Sequence, residues 1–232
     1  MRVRTGVICA FILCGALAAS PLKADSISIQ NASFETVNPL TFTGCGTGCA
    51  YNYGPIPGWT LSGTGGSFQP GSTYYTSLPD GNTVAFISTP GATISQTLPV
   101  SLMPDTTYTL SVDVGNRLDL LETGFSISLD AGSTALNTVT GSNSTITPGT
   151  FANETLTYTT GSTVLPGDLT IILGSGGSQS NFDNVRLTTS STSGGSASVP
   201  EPSGLLLLIM GLSCLALFTW SNRRGYLNST TS

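Results

Sequence analysis

The segment Tyr108-Thr-Leu-Ser-Val-Asp-Val114 places an apolar residue at every second position over seven residues. Successive side chains of a β-strand point to opposite faces, so Tyr108, Leu110, Val112 and Val114 share one face of such a strand. The polar residues between them share the other face. The segment therefore predicts a half-buried strand that packs on one face only.

Short strand candidates continue on both sides of this segment, and no part of the region shows a helical period with caps. The candidates are Thr83 to Ile87, Ile94 to Leu98, Phe125 to Leu129, Thr155 to Thr159, Leu169 to Leu173 and Phe182 to Leu187. Turn-forming residues separate them, as in Pro79-Asp-Gly81, Thr89-Pro-Gly91, Met103-Pro-Asp105, Pro148-Gly149 and Pro166-Gly167. Regularly spaced half-buried strands predict an all-β fold, an antiparallel β-sandwich formed by one domain over residues 25–187.

Charge and residue content exclude several classes of function. Between Asp25 and Val199 there are eleven acidic residues against two basic ones, Arg117 and Arg186, which gives a net charge of −9. Such a surface repels phosphate backbones, so we expect no nucleic-acid partner. The chain has no histidine, which excludes Ser-His-Asp and Cys-His catalysis and imidazole metal sites. Its only lysine, Lys23, lies at the end of the predicted signal peptide, so we expect no lysine nucleophile in the domain.

These exclusions lead us to expect a protein that is not an enzyme. One enzymatic alternative stays open, a glycoside-active enzyme that uses two carboxylates. Its candidate acids flank one predicted strand pair and are Asp113, Asp119, Glu122 and Asp130. No motif distinguishes these acids from ordinary solvent-facing carboxylates.

The N-terminus has the organisation of a secretory signal peptide over residues 1–24. A basic start, Met1-Arg-Val-Arg4, precedes an uncharged apolar run of 13 residues from Val7 to Ala19. Ala16-Leu17-Ala18 and Leu22-Lys23-Ala24 are alternative ends at a signal peptidase cut. A run of 13 residues is too short to cross a bilayer core of about 30 Å as a helix. We therefore expect an exported protein.

The C-terminus changes composition twice. Residues 188–198 are Ser, Thr, Gly and Ala and predict a flexible linker. Pro200-Glu201-Pro202, a predicted transmembrane helix over 204–220 and the pair Arg223 and Arg224 then make up a segment over 199–225, followed by a short tail, 226–232. Paired arginines mark the cytoplasmic side, so the domain is expected outside the inner membrane.

The order of triplet, short apolar helix and arginine pair resembles the PEP-CTERM sorting signal. This resemblance implies an exosortase-type membrane protease as a partner, in addition to signal peptidase. It implies anchoring in the inner membrane by the helix, followed after processing by a cell-surface or extracellular location. The function it implies is that of a biofilm-matrix protein associated with exopolysaccharide.

Two cysteines, Cys45 and Cys49, lie within the predicted domain in Gly44-Cys-Gly-Thr-Gly-Cys-Ala50. In an oxidising compartment a disulfide between them is the expected state, because the intervening glycines allow a tight turn. A zinc pair is the alternative, but no second ligand pair is present in the sequence. We predict the disulfide.

Fragments spread along the domain resemble the galactose-binding-like jelly rolls of carbohydrate-binding modules. They are Asn31-Ala-Ser-Phe-Glu35, Pro57-Gly-Trp59, Pro79-Asp-Gly-Asn82, Ile94-Ser-Gln-Thr-Leu98, Tyr108-Thr-Leu-Ser-Val112 and Phe182-Asp-Asn-Val-Arg-Leu187. The resemblance implies a structural calcium beside the first and last strands, with Glu35 and Asp183 as ligands. Backbone carbonyls and waters would complete six to eight oxygen ligands.

An aromatic-rich stretch between residues 51 and 75 is a candidate carbohydrate platform. Its members are Tyr51, Tyr53, Trp59, Phe68, Tyr74 and Tyr75. Trp59 follows Pro-Gly and is expected in the core. Tyr74 and Tyr75 would point to opposite faces of an extended chain, so at most one of them is expected to face a ligand. The sequence does not identify the ligand.

Overall fold

The structure is a computed structural model that describes residues 24–38, 41–46, 48–120 and 124–191. Within these residues the chain forms thirteen strands in two antiparallel sheets, and Asn143–Thr145 forms a short 3-10 turn. The strands are β1 Asp25–Ile27, β2 Thr43–Gly44, β3 Ala50–Tyr53, β4 Thr60–Ser62, β5 Gly65–Gln69, β6 Val84–Ile87, β7 Thr93–Ser101, β8 Thr106–Asn116, β9 Gly124–Ala131, β10 Thr134–Ser142, β11 Thr150–Thr159, β12 Asp168–Ser175 and β13 Ser180–Ser191.

The larger sheet has eight strands in the order β11-β8-β13-β6-β5-β3-β2, with β1 paired to β13. The first part of β13 pairs with β6, through Ser180 opposite Ile87, and its later part pairs with β1, through Leu187 opposite Ile27. The smaller sheet has five strands in the order β10-β9-β12-β7-β4. Because β1 pairs with β13, the first and last strands of the domain lie side by side in the larger sheet.

One hydrophobic core joins the two sheets. Leu110, Val112 and Val114 contribute to it from β8 of the larger sheet. Ile127 of β9 and Ile171 of β12 contribute from the smaller sheet, where Ile171 is fully buried. Residues that alternate with these point away from the core. The face of the larger sheet turned away from the core is called the outer face below.

The structure confirms the all-β, antiparallel prediction, and each of the seven predicted strands coincides with an observed one. Trp59 lies in the core, as expected, where it contacts Phe34 with 5.3 Å between ring centroids. Its indole nitrogen donates a hydrogen bond to the carbonyl of Asn31 at 3.2 Å. Two antiparallel sheets therefore share one hydrophobic core.

The last strand continues past Leu187, where the sequence predicted the end of the domain, and runs to Ser191. Thr189 pairs there with Asp25 on one side and with Tyr108 on the other. Backbone pairing on both edges explains how Ser and Thr residues extend a strand that their composition did not predict.

No helix among the described residues is long and apolar enough to cross a membrane. Residues 1–23 of the predicted signal peptide lie outside the described residues, as does the predicted linker beyond Ser191. The predicted sorting segment over 199–225, with its helix over 204–220, also lies outside them.

Candidate active site

Aromatic side chains cover one part of the outer face. Strand alternation directs Tyr51 and Tyr53 of β3, Phe68 of β5 and Phe86 of β6 away from the core. Phe68 and Phe86 belong to a second hydrophobic cluster, separate from the core, which also contains Tyr75, Val84 and Cys49. The outer face is therefore apolar at this place rather than solvated.

These rings surround a cavity of about 180 Å³, called the aromatic cavity below. Its lining residues are Cys45, Tyr51, Tyr53, Phe68, Tyr74, Phe86, Arg117 and Gln179. The rings meet edge to face, with 5.5 Å between the centroids of Tyr53 and Phe86 and 5.2 Å between those of Phe68 and Tyr74. Edge-to-face contact leaves ring faces available to a further aromatic group. Tyr53 is 62% exposed and lies at the entrance.

Arg117 forms the positively charged part of the cavity wall. Its guanidinium lies 4.6 Å from the centroid of the Tyr74 ring and 5.2 Å from that of Phe68. Its Nε and Nη2 donate to the two carboxylate oxygens of Asp119 at 2.9 and 2.7 Å. This two-point ion pair fixes the planar guanidinium against the rings.

The disulfide predicted from the sequence is present in the structure between Cys45 and Cys49. It closes a tight turn in which the Cys45 amide donates to the Cys49 carbonyl at 3.1 Å. The Tyr74 hydroxyl donates to the Cys45 carbonyl at 3.5 Å. The disulfide turn thus supports one wall of the aromatic cavity.

A second cavity, of about 280 Å³, lies on the same outer face near β8 and β11. Its lining residues are Ser77, Leu78, Pro79, Asp113, Thr150, Phe151 and Asn153. The Asp113 carboxylate accepts hydrogen bonds from the side-chain amides of Asn153 at 2.7 Å and Asn184 at 2.9 Å. Asp113 is therefore a buried carboxylate, and each of its two oxygens accepts a hydrogen bond from a side-chain amide.

Glu35 and Asp183, the predicted calcium ligands, are brought to the same turn, residues 80–83. Glu35 Oε1 accepts from the amides of Asn82 and Thr83 at 2.9 and 2.7 Å. Asp183 Oδ2 accepts from the Asp80 amide at 3.3 Å, and Asp183 is fully buried. Burial raises the pKa of the Asp183 carboxyl to about 8, against the opposing effect of hydrogen bonds from the Asn184 and Asp80 amides. The negative charges of Asp80 and Glu35 act in the same direction as burial and contribute to this raised pKa.

A buried carboxylate beside two others fits a cation site, because a metal ion would remove both the burial cost and the repulsion. The described residues nevertheless contain no group of three or more acidic, cysteine or histidine side chains arranged to hold a metal. A calcium ion at Glu35 and Asp183 would therefore depend on backbone carbonyls and water for most of its ligands.

Two of the carboxylates considered for glycoside hydrolysis, Asp113 and Asp130, lie on different sheets. Asp113 faces the outer side of the larger sheet, whereas Asp130 lies on β9 of the smaller sheet, where Ile127 and Leu129 face the core. Asp119 is paired with Arg117. Glu122 lies outside the described residues.

Comparison with known proteins assigns the family. The model of the HpiC1-like family, described as HpiC1 cyclase, matches residues 25–188. Since this match spans most of the chain, the protein belongs to the HpiC1-like cyclase family. No curated protein matches the chain significantly.

Solved structures of cyclases support this assignment. An apo cyclase from Fischerella sp. shares 28% identity with a TM-score of 0.58, over 72% of this chain and 96% of its own. A cyclase from Fischerella sp. TAU, solved with 4-(1H-indol-3-yl)butan-2-one, shares 29% identity with a TM-score of 0.59, over 71% and 97%. A Stig cyclase from Fischerella sp. TAU, solved with (3Z)-3-(1-methyl-2-pyrrolidinylidene)-3H-indole, shares 28% identity with a TM-score of 0.59, over 72% and 98%.

Carbohydrate-binding modules are more distant neighbours. One solved with β-1,4-galactotriose shares 15% identity with a TM-score of 0.43. A similarity of that degree gives no information about the ligand of this protein.

Family membership corrects two predictions. The predicted function of a biofilm-matrix protein associated with exopolysaccharide is wrong, because the family and the related structures are cyclases. The prediction that the protein is not an enzyme is wrong for the same reason. Absence of histidine excludes only chemistry that needs imidazole, whereas a ring closure within one molecule gains much of its rate from orientation.

The sequence analysis included Tyr51, Tyr53, Phe68 and Tyr74 among its aromatic candidates and Cys45 as a disulfide cysteine. It assigned no site role to Phe86, Arg117 or Gln179, which complete the cavity wall. Phe86 and Gln179 lie in or beside predicted strands, and Arg117 follows one, without any motif. What these residues share in the sequence is their position, either on the outward-pointing face of a predicted strand or just beyond the end of one. That position identifies them as site residues only when the structure shows that the cavity lies on the outer face.

Proposed function

We propose that the protein is a cyclase that closes a ring on a largely apolar, indole-type substrate bound in the aromatic cavity. The observation that carries the proposal is that the segment matched by the family model contains this cavity. Two related cyclases were solved with indole compounds, which suggests the substrate class. Five of the eight lining residues are aromatic, as expected of a pocket for a flat ring system.

The size of the aromatic cavity supports a compact ligand. Its volume of about 180 Å³ lies below the usual range of roughly 300–1,000 Å³ for small-molecule sites. It would hold one ring system between Tyr53, Phe68 and Phe86, while the remaining atoms extend along the outer face. Binding there would remove the substrate from water and restrict the rotation of its flexible part.

Ring closure joins two parts of one molecule, so the enzyme contributes most by holding the reacting ends close together. The rigid aromatic walls would supply this orientation. Their faces would also stabilise positive charge that develops on the substrate during the reaction. Arg117, held by Asp119, would keep Phe68 and Tyr74 in place rather than react itself.

The proposal is tested by calorimetric titration of the purified chain with 4-(1H-indol-3-yl)butan-2-one. Tyr53→Ala removes a ring that is 62% exposed and should weaken binding about tenfold without unfolding the protein. Met103→Ala is the matched control, because Met103 is also exposed, at 50%, but does not line the aromatic cavity. Equal affinities for the wild-type protein and Tyr53→Ala would count against the proposal.

We also propose calcium as a structural ion at Glu35 and Asp183. The support is the meeting of these two carboxylates at residues 80–83, together with the raised pKa of Asp183. The ion would stabilise the contact between the first and last strands rather than take part in ring closure.

Export and C-terminal processing remain proposals based on the sequence. Signal peptidase would remove residues 1–24, and an exosortase-type protease would act at Pro200-Glu201-Pro202 while residues 204–220 hold the chain in the inner membrane. The cyclase domain would then be released to the cell surface or the medium. Mass spectrometry of C-terminal peptides tests this: Glu201→Ala should trap the full-length form, and peptides beyond Ser203 in most of the mature wild-type protein would contradict cleavage.

A further inference from the structure

Two polar side-chain atoms on the outer face are buried and have no hydrogen-bond partner among the described residues. They are Oη of Tyr75 and Nδ2 of Asn181. Tyr75 is 3% exposed and Asn181 is 1% exposed. Burying a donor without a partner is costly, and such groups are rare in native structures, so each requires an explanation.

Tyr75 Oη and the side chain of Asn181 both lie beside Gly115. Asn181 on β13 is directly opposite Gly115 on β8, and side chains at opposed positions are about 4.5–5.5 Å apart at Cβ. A Cβ atom added to Gly115 would lie 2.5 Å from Tyr75 Oη. The Tyr75 hydroxyl therefore occupies the space above Gly115, next to Asn181, and glycine is required there to leave that space open.

This position borders the aromatic cavity. Asn181 is also opposite Phe86 across the pairing of β13 with β6, and its Oδ1 accepts from Gln179 Nε2 at 3.3 Å. Phe86 and Gln179 both line the aromatic cavity. Because the contact with Gln179 occupies the Asn181 carbonyl oxygen, the Asn181 amide is left to act as a donor.

We propose that Tyr75 and Asn181 form a donor pair that binds one hydrogen-bond acceptor atom of the substrate, a carbonyl oxygen or an imine-type nitrogen. The inference rests on the proposed function. It adds that the substrate binds with its acceptor atom directed toward the larger sheet. A charged acid in that place would repel such an acceptor, whereas a phenol and a carboxamide both offer N–H or O–H groups. The pair fixes the orientation of the substrate before ring closure.

Burial raises the pKa of the Tyr75 hydroxyl, although the positive charge of Arg117 opposes the shift. The hydroxyl therefore stays protonated at neutral pH and remains a donor. Carboxamides do not titrate in this range either, so Tyr75 and Asn181 act as positioning residues rather than as a proton source.

Two probes that differ only in a carbonyl group in place of a methylene group test the pair: 4-(1H-indol-3-yl)butan-2-one and 3-butylindole. The wild-type chain should bind the ketone about tenfold more tightly, as expected for two hydrogen bonds. Tyr75→Phe should reduce this preference about threefold or more and leave the affinity for 3-butylindole unchanged. Tyr158→Phe is the matched control, because Tyr158 on β11 packs against the core and does not line the aromatic cavity, and it should keep the wild-type preference.

The same preference in Tyr75→Phe and in the wild-type chain would overturn the inference, as would tighter binding of 3-butylindole by the wild-type chain. If neither indole probe binds, the proposed indole substrate fails, and 4-phenylbutan-2-one with butylbenzene then tests the donor pair alone. A preference for the phenyl ketone that falls in Tyr75→Phe supports the pair. Absence of that preference, or of binding, overturns it.

Discussion

The guanidinium of Arg117 lies over the ring of Tyr74, with 4.6 Å between its central carbon and the ring centroid. Asp119 binds the same guanidinium at two points, so the cation cannot turn away from the ring without breaking an ion pair. A wall of the aromatic cavity is thereby held in place by charge as well as by packing.

Replacing Arg117 by lysine keeps the positive charge but removes the planar fork that binds Asp119 and stacks on Tyr74. We expect Arg117→Lys to weaken binding of 4-(1H-indol-3-yl)butan-2-one about threefold to tenfold. Arg186→Lys is the control, since Arg186 is partly exposed on the same sheet and donates to Ser111 at 3.2 Å. Calorimetry that shows equal losses in the two variants would contradict a specific role for Arg117.

The raised pKa of Asp183 predicts a pH dependence of stability in metal-free protein. The folded state holds the proton up to about pH 8, while the unfolded chain releases it near the ordinary pKa of 3.8. The folded state therefore binds more protons between these limits, and the free energy of unfolding falls as pH rises through that window. Asp183→Asn should flatten this fall in chelator-treated protein, and an identical slope in denaturant titrations of both forms would refute the assignment.

Calcium should raise the thermal midpoint if it binds at Glu35 and Asp183. An ion that binds only the folded state stabilises it by about 2.7 kcal/mol at a hundred times its Kd, or roughly 5–10 °C for a domain of this size. The double variant Glu35→Gln, Asp183→Asn should lose the response, while Asp168→Asn, an exposed residue on β12, should retain it. No difference between calcium and chelator in wild-type protein would exclude the ion.

The Cys45–Cys49 disulfide closes a very short loop, so reducing it should cost only about 2 kcal/mol of unfolding free energy in the chain-entropy model. Ligand binding should suffer as well, because Cys45 lines the aromatic cavity and its carbonyl accepts from Tyr74. The double variant Cys45→Ser, Cys49→Ser, examined by chemical denaturation and by titration, separates the two effects. Wild-type affinity in that variant would show that the turn does not support the cavity.

The sequence predicted strands wherever alternation was strong, as in β8, because a half-buried strand must repeat every two residues. It did not predict β10, whose Leu136 and Val139 are only partly buried, since an edge strand needs no apolar face. It also missed β5, where a side chain at Gly66 would collide with the Asn52 carbonyl. Close approach of two backbones requires glycine and leaves no hydrophobic pattern.

The site was less predictable than the fold for a different reason. Tyr74 and Tyr75 were expected on opposite faces, as in an extended chain. Both of their amides instead donate to the Gly71 carbonyl, at 2.9 and 3.4 Å, which makes this segment a turn. Tyr74 and Tyr75 consequently both pack into the outer-face cluster, where loop geometry rather than strand alternation decides which side chains meet.

A crystal structure of the chain with 4-(1H-indol-3-yl)butan-2-one tests most directly whether the aromatic cavity is the cyclase site. We predict the indole ring between Tyr53, Phe68 and Phe86, with the ketone oxygen within hydrogen-bond distance of Tyr75 Oη. The smaller sheet offers an internal comparison, because a polar groove lined by Gln30, Thr60 and Gln96 lies at its edge. Ligand density in that groove, with none among the aromatic rings, would contradict the account.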